Sequence, residues 1–199
     1  MKIYGDYRSG NCYKLKLVTK LLNIPHEWVP VDILAGEASS ADFKSLNANM
    51  KVPLLALADG RVLSESNAIL NYLARGSRLE PKDDFDRAKV QQWQFFEQYS
   101  HEPYIAVARF IALYLGMPEA RRHEFESKQA GGHKALAVME QRLAQGPFLV
   151  GKHLSTADIS LFAYTHVAAD GGFELQGYPS ILAWLERVRA TPGFVSMEC

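Results

Sequence analysis

MKIYGDYRSGNCYKLKLVTKLLNIPHEWVPVDI, residues 1–33, decides the fold class. Met1 to Tyr4 is a short apolar strand. Beyond the turn Arg8-Ser9-Gly10-Asn11, apolar residues recur at Leu15, Val18 and Leu22, with Leu17 and Leu21 alongside, which is one face of an amphipathic helix. Asn23-Ile24-Pro25 ends that helix, because the residue before a proline avoids the helical region. Glu27 to Ile33 then carries the strand formers Trp28, Val29, Val31 and Ile33. A β-α-β unit of this kind calls for a parallel strand pair joined by a right-handed crossover.

Outward from this unit the alternation continues. A weak helix covers Ala41 to Leu46, and Val52 to Ala58 is a buried-looking strand. Asp59-Gly60 is a hairpin turn, Arg61 to Leu63 the return strand, and helical spacing resumes at Ser66 with Ile69, Leu70, Tyr72 and Leu73. The order β-α-β-α-β-β-α is that of a thioredoxin-like α/β domain, expected over residues 1–76. Residues 77–84, polar and proline-containing, read as a linker, and strand signals then nearly vanish. An all-helical domain is expected over 85–199: one long helix from Phe85 to Leu115 kinked at Pro103, a second from about Pro118 to Ala144, a third after Ser155 and a fourth after Pro179.

Composition narrows the function. The 22 basic residues balance 22 acidic ones, and no basic face is visible, which argues against nucleic-acid binding. Cys12 and Cys199, at opposite ends, make neither a disulfide framework nor a zinc pattern, and the six histidines show no metal-site spacing, so no metal is expected. The start lacks the apolar core of a signal peptide and no apolar run approaches the ~20 residues needed to span a bilayer. The expectation is a soluble, cytoplasmic protein that does not engage membranes.

Four local patterns carry chemistry or mimic it. Ser9-Gly10-Asn11-Cys12 sets a hydroxyl, an amide and a thiol at the start of the first helix, where unpaired N–H groups favour anions, thiolates included. A serine hydroxyl donating to a bound thiolate would lower its pKa; equally, Ser9 or Asn11 is a good helix cap. In Lys51-Val52-Pro53 a cis proline would leave Val52's backbone groups to hold an extended ligand beside a lysine for a carboxylate, whereas a trans proline would be an ordinary strand edge. Ser64-Glu65-Ser66-Asn67 offers an anion for an ammonium group and N–H groups for a carboxylate, or simply a cap. Ser155-Thr156-Ala157-Asp158 fits a capping box and reads as structural. Taken together, the first three match the thiol, backbone and amino-acid end of one small anionic thiol peptide.

At this point the sequence resembles the soluble, bacterial-type glutathione S-transferases, over essentially its whole length. The resemblance rests on Ser9 to Lys14, on LNANMKVPL (46–54), on ESNAI (65–69), and on FLVG (148–151) with LSTADI (154–159). It implies that Ser9 activates the glutathione thiol, as in the serine-type classes, with Asn11 assisting or replacing it. It places Lys51 by the glycyl carboxylate, Val52 and Pro53 by the cysteinyl backbone, and Glu65 with Ser66 by the γ-glutamyl group. A small hydrophobic electrophile would sit between the domains near Tyr7, Tyr104 and Phe110, and homodimers are typical.

Some residues depart from the family patterns. Tyr4 lies within the strand and Tyr7 before the turn, so the tyrosine of the tyrosine-type classes is absent. Ala48 stands where a proline is common. Cys12 lies close to the reactive thiol of a cysteine-type class, which would favour mixed-disulfide or thiol-reductase chemistry. The implied activity is conjugation of glutathione to electrophiles, a detoxification chemistry. The alternatives are a glutathione-dependent reductase or dehalogenase using the same site, or a non-catalytic binding or stress protein of this fold.

Overall fold

Strands β1 (Lys2–Gly5), β2 (Glu27–Pro30), β3 (Leu54–Ala56) and β4 (Val62–Leu63) form one mixed sheet in the order β2-β1-β3-β4. β1 pairs in parallel with β2, as the first 33 residues require, and antiparallel with β3. Side chains alternate between faces along a strand, so the cross-strand pair Ile3 and Leu55 points one way and Tyr4 and Leu54 the other. The Tyr4 and Leu54 side is closed by α2 (Ala41–Leu46): Phe43 and Leu46 pack with Val31, Ala38, Val52 and Leu54. α1 (Gly10–Leu21) packs on α3 (Ser66–Ala74), burying Leu15, Val18, Ile69 and Leu70 completely. Each such side chain contributes roughly 1.5–3 kcal/mol by leaving water. The Asp59-Gly60 hairpin forms as read, with Gly60 at φ 86° and the Leu57 N–H donating to the Arg61 carbonyl at 2.8 Å.

The computed structural model describes residues 1–197, and these divide into two compact units: Met1–Ser77 joined by 192–197, and Arg78–Thr191. The return of 192–197 to the first unit is held by Tyr13, whose buried phenol donates to the Val195 carbonyl at 2.7 Å, and by close approach of Gly193 to Leu21.

The second unit is all helical. Where the sequence suggests one long helix, the chain forms α4 (Asp84–Phe96), a π-helical turn Glu97–His101, α5 (Glu102–Arg109) and a second π turn Phe110–Tyr114. Pro103 explains the first interruption: it has no N–H for the Tyr99 carbonyl, and the ladder widens so that Glu102 bonds back five residues to Glu97. α6 (Arg122–Leu143), α7 (Thr156–Thr165) and α8 (Pro179–Arg189) follow. Every residue of α7 is buried, making it the unit's central element. Among the described residues no helix is long and apolar enough to cross a membrane.

Candidate functional site

The turn between β1 and α1 is built around Asp6 and Gly5. Asp6, nearly buried, accepts from the Arg8 N–H at 2.7 Å, and its carbonyl accepts from the Ser9 N–H at 3.2 Å. Gly5 must be glycine, since a Cβ there would lie 2.9 Å from the Trp28 ring and 3.0 Å from the Cys12 sulfur. That close approach lets α1 start immediately beside β1. Ser9 is extended (φ −78°, ψ 123°) and its Oγ accepts from the Cys12 N–H at 3.4 Å. Capping uses an oxygen lone pair, and the hydroxyl, which also faces the Cys12 sulfur, keeps a proton that it can donate. The capping and the thiol-activating readings of Ser9 are therefore compatible.

Asn11 and Ser66, 55 residues apart, meet. The Ser66 Oγ donates to Asn11 Oδ1 at 3.1 Å, joining the first turns of α1 and α3. Neither first turn contains an acidic residue. Glu65, at the N-cap of α3, does not cap with its side chain, and its backbone sits at φ 68°, ψ 111°, a costly conformation for a residue with a Cβ. That backbone leaves the Glu65 side chain exposed next to the buried Ser66.

The Lys51-Val52-Pro53 segment lies just ahead of β3, whose ladder begins at Leu54. The Val52–Pro53 bond is cis. Asn47, buried in the preceding turn, donates to the Lys51 carbonyl at 2.8 Å and fixes the segment, while the Lys51 side chain is exposed. Tyr7 stacks on Trp28 with ring centroids 5.5 Å apart. A cleft of about 200 Å³ beside this turn is lined by Tyr7, Arg8 and Asp6 with Val31 and Asp32. Tyr104 and Phe110 belong to the helical unit. The Tyr104 ring lies on α6 against Gly131, where a Cβ would overlap it, and Phe110 stacks on Tyr114 at 5.0 Å.

Cys12 stands apart from the other candidates. It is fully buried, and burial pushes its thiol up to about 12 despite the lowering effect of its hydrogen bonding with Ser9 and the backbone of Asp6. At neutral pH it is a protonated, enclosed thiol that acts as a small core hydrophobe.

The last residue of the Ser9–Lys14 stretch has no role that the resemblance assigns. Lys14 is fully buried, and its Nζ donates to the Ser66 Oγ at 3.2 Å. The signal in the sequence is that Lys14 falls on the buried stripe of α1 with Val18 and Leu21, three residues beyond Asn11.

Two family models match the chain: the N-terminal domain of glutathione S-transferases over residues 8–75, and the C-terminal domain over residues 106–187. A solved glutathione S-transferase from Pseudomonas fluorescens is 57% identical, with a TM-score of 0.97 over 100% of this chain and 98% of that one. Glutathione S-transferase 3 of Zea mays is 31% identical over 98% of this chain and 91% of its own length. A disulfide-bond oxidoreductase of Escherichia coli is 26% identical over 92% and 88%. With both halves of the family matched in order, and with its thioredoxin-like and helical units each in place, this chain belongs to the glutathione S-transferase family.

Proposed function

We propose that glutathione binds across the first turns of α1 and α3 and that its thiolate is transferred to a small hydrophobic electrophile. The observation that carries this reading is the hydrogen bond joining Ser66 to Asn11, which brings together two helix N-termini that hold no carboxylate in their own first turns. Such ends favour an incoming anion. A γ-glutamyl peptide offers a carboxylate for the N–H groups around Ser66, an ammonium for Glu65 and a thiol for Ser9. Lys51 is assigned to the glycyl carboxylate, the backbone of Val52 before Pro53 to the cysteinyl residue, and Tyr7, Tyr104 and Phe110 to the electrophile.

In the reaction the glutathione thiol gives up its proton to solvent, and the Ser9 hydroxyl donates to the resulting thiolate. Sulfur attacks the electrophilic carbon, a carbon–sulfur bond forms, and the leaving group departs with its electron pair. Binding supplies proximity, and the hydroxyl supplies the lowered thiol pKa. A hydrogen bond to a charged sulfur of this kind is worth about 1.5–3 kcal/mol. Ser9→Ala should therefore lower turnover of an activated aryl halide about tenfold to a hundredfold, raise the pKa of the bound thiol and largely spare glutathione affinity. Retention of wild-type turnover and wild-type thiol pKa in that variant would remove Ser9 from the mechanism. A protein neither retained on immobilised glutathione nor active on the halide would defeat the reading altogether.

Assembly as a homodimer belongs to the same proposal. Phe85, Phe95 and Tyr99 on α4 and the following π turn are 72%, 73% and 87% exposed, a concentration of apolar surface that a second copy would cover. Sedimentation at micromolar concentration tests it, a monomeric mass being the contrary result.

A further inference from the structure

Asn47, the C-cap of α2, is nearly buried, while Ala48, Asn49, Met50 and Lys51 after it are all exposed. Taking a carboxamide out of water is costly unless its bonds are made inside, and here each polar atom of Asn47 makes one. Its N–H donates to the Phe43 carbonyl at 2.9 Å, and its carbonyl accepts from the Met50 N–H at 2.9 Å. Its Oδ1 accepts from the Asn49 N–H at 3.1 Å, and its Nδ2 donates to the Lys51 carbonyl at 2.8 Å. The bonds from Met50 and Asn49 close the turn that brings Met50 into the left-handed region at φ 53°. The bond to Lys51 reaches past that turn and is not needed to close it.

What the outlying bond does is fix a peptide plane. The Lys51 carbonyl and the Val52 N–H share one peptide unit, which is trans, and in a planar trans unit the two groups point to opposite sides. Drawing the carbonyl in to Asn47 therefore turns the Val52 N–H the other way. The far end of the unit is anchored as well, because the Val52 side chain packs on the cluster of Val31, Ala38, Phe43 and Leu54. Among the described residues nothing accepts from the Val52 N–H, although a backbone donor this near a core is ordinarily paired.

Resting on the glutathione reading above, we infer that Asn47 is a positioning residue of the site: by holding the Lys51 carbonyl inward, it aims the Val52 N–H at the cysteinyl carbonyl of glutathione. Asn47 touches no atom of the ligand in this arrangement. It acts through one backbone plane, and so on binding rather than on the thiol beside Ser9.

The test combines calorimetric titration with reduced glutathione, kcat on an activated aryl halide at saturating glutathione, and hydrogen exchange of the Val52 amide with and without glutathione. It compares wild type with Asn47→Ala, Ala48→Pro and the Asn47→Ala/Ala48→Pro pair. In wild type, bound glutathione should slow exchange of the Val52 amide about tenfold or more, and Asn47→Ala should lose that protection. Losing one aimed hydrogen bond should weaken glutathione binding about tenfold and leave kcat at saturation unchanged. Ala48 is the second residue of the Asn47–Met50 turn, where proline is favoured, and Asn47 at φ −142°, ψ 102° has the extended backbone that precedes one. Ala48→Pro should therefore stiffen the turn and raise the melting temperature by a few degrees in either background. If Asn47 only stiffened the turn, the pair would regain wild-type affinity with its stability. If it aims the Val52 N–H, the pair regains stability and stays about tenfold weak.

Wild-type affinity in folded Asn47→Ala, or its return in the pair, overturns the inference, as does a fall in kcat matching the fall in affinity. Should Asn47→Ala fail to fold, the wild type decides alone, a Val52 amide that bound glutathione does not protect being the negative result. Absence of glutathione binding to the wild-type protein overturns the glutathione reading itself, and the inference with it; binding with any of the contrary results above overturns only the inference.

Discussion

The N-termini of α1 and α7 both begin with a serine, and they are finished in opposite ways. At α7 the protein supplies its own anion. Asp158 accepts from the Ser155 N–H and hydroxyl at 2.9 Å, closing the expected capping box. It also takes the Leu149 N–H at 2.9 Å and the Trp184 indole at 3.0 Å. At α1 Ser9 caps one N–H and the first turn contains no acid. α3 is left in the same state, whereas α8, which also lacks an acid of its own, has Glu140 of α6 accepting from the Ser180 and Ile181 N–H groups. Neither α1 nor α3 has an acidic residue in its own first turn. One kind of helix end is sealed for stability by the protein's own carboxylate, and the other is the end assigned to glutathione in the proposal above.

The sharpest way to break this contrast is to unseal α7. Asp158→Ala strands two backbone N–H groups and an indole N–H in a fully buried site, and each unsatisfied donor costs about 1–3 kcal/mol. A loss of about 4 kcal/mol is expected in denaturant melts, well above the ~1 kcal/mol expected for the fold from removing the Ser9 cap. Equal losses at the two sites would erase the distinction.

Acid should attack the other end of the same helix. His166, the C-cap of α7, stacks flat on Phe162 with centroids 4.6 Å apart, and burial, aided by Arg189 and Arg109, lowers its pKa to about 4. A cation at a helix C-terminus is ordinarily favoured; here burial wins. Between the unfolded value near 6.5 and about 4, the unfolded chain binds the proton and the folded chain does not. Stability therefore falls as pH drops through that window, by up to about 3 kcal/mol. His166→Gln should flatten the slope, as measured by melts at pH 7, 5.5 and 4.

Much of this contrast was legible in the sequence, but only where its parts are neighbours in the chain. Ser155 and Asp158 are three residues apart and announce a capping box; Ser9 opens α1 in the same manner, and the alternation through residue 33 yields the parallel β1–β2 pair. The partners that give these ends their meaning come from far away. Trp184 reaches Asp158 from 26 residues on, Glu140 reaches α8 across 40, and Ser66 reaches Asn11 and Lys14 across more than 50. Lys14 carried the right clue, a charge on an apolar stripe, yet periodicity does not say what a buried amine touches. Tyr13 is a similar case: its spacing marks it as core, and only the fold shows the chain returning at Val195 to accept its hydroxyl. The π turns were hidden as well, since helical spacing looks the same when one hydrogen bond skips a residue.

Sealing α1 is the converse experiment. Asn11→Asp gives its first turn the carboxylate that α7 already has, which should raise or at least preserve stability, by about 0.5 kcal/mol. The same charge repels an incoming anion, so glutathione affinity should fall about a hundredfold in calorimetry. Unchanged affinity would mean that this helix end does not receive the ligand.

The smallest expected effect concerns Cys12, inside the open end but outside its chemistry. With burial pushing its pKa to about 12, Cys12 is overwhelmingly a thiol at pH 7, which leaves it a poor rival to a glutathione thiol activated at Ser9 as proposed. The sulfur is also fully buried beside Gly5, so an attacking disulfide could reach it only by opening the β1–α1 junction. Cys12→Ala should cost about 1 kcal/mol of stability, the loss of one small buried group, and leave turnover of an aryl halide and reduction of a glutathione mixed disulfide both at wild-type rates. Loss of either activity with the fold intact would show that the junction opens often enough to expose a protein nucleophile. The open end would then be a thiol site in its own right rather than a receptor for the thiol of glutathione.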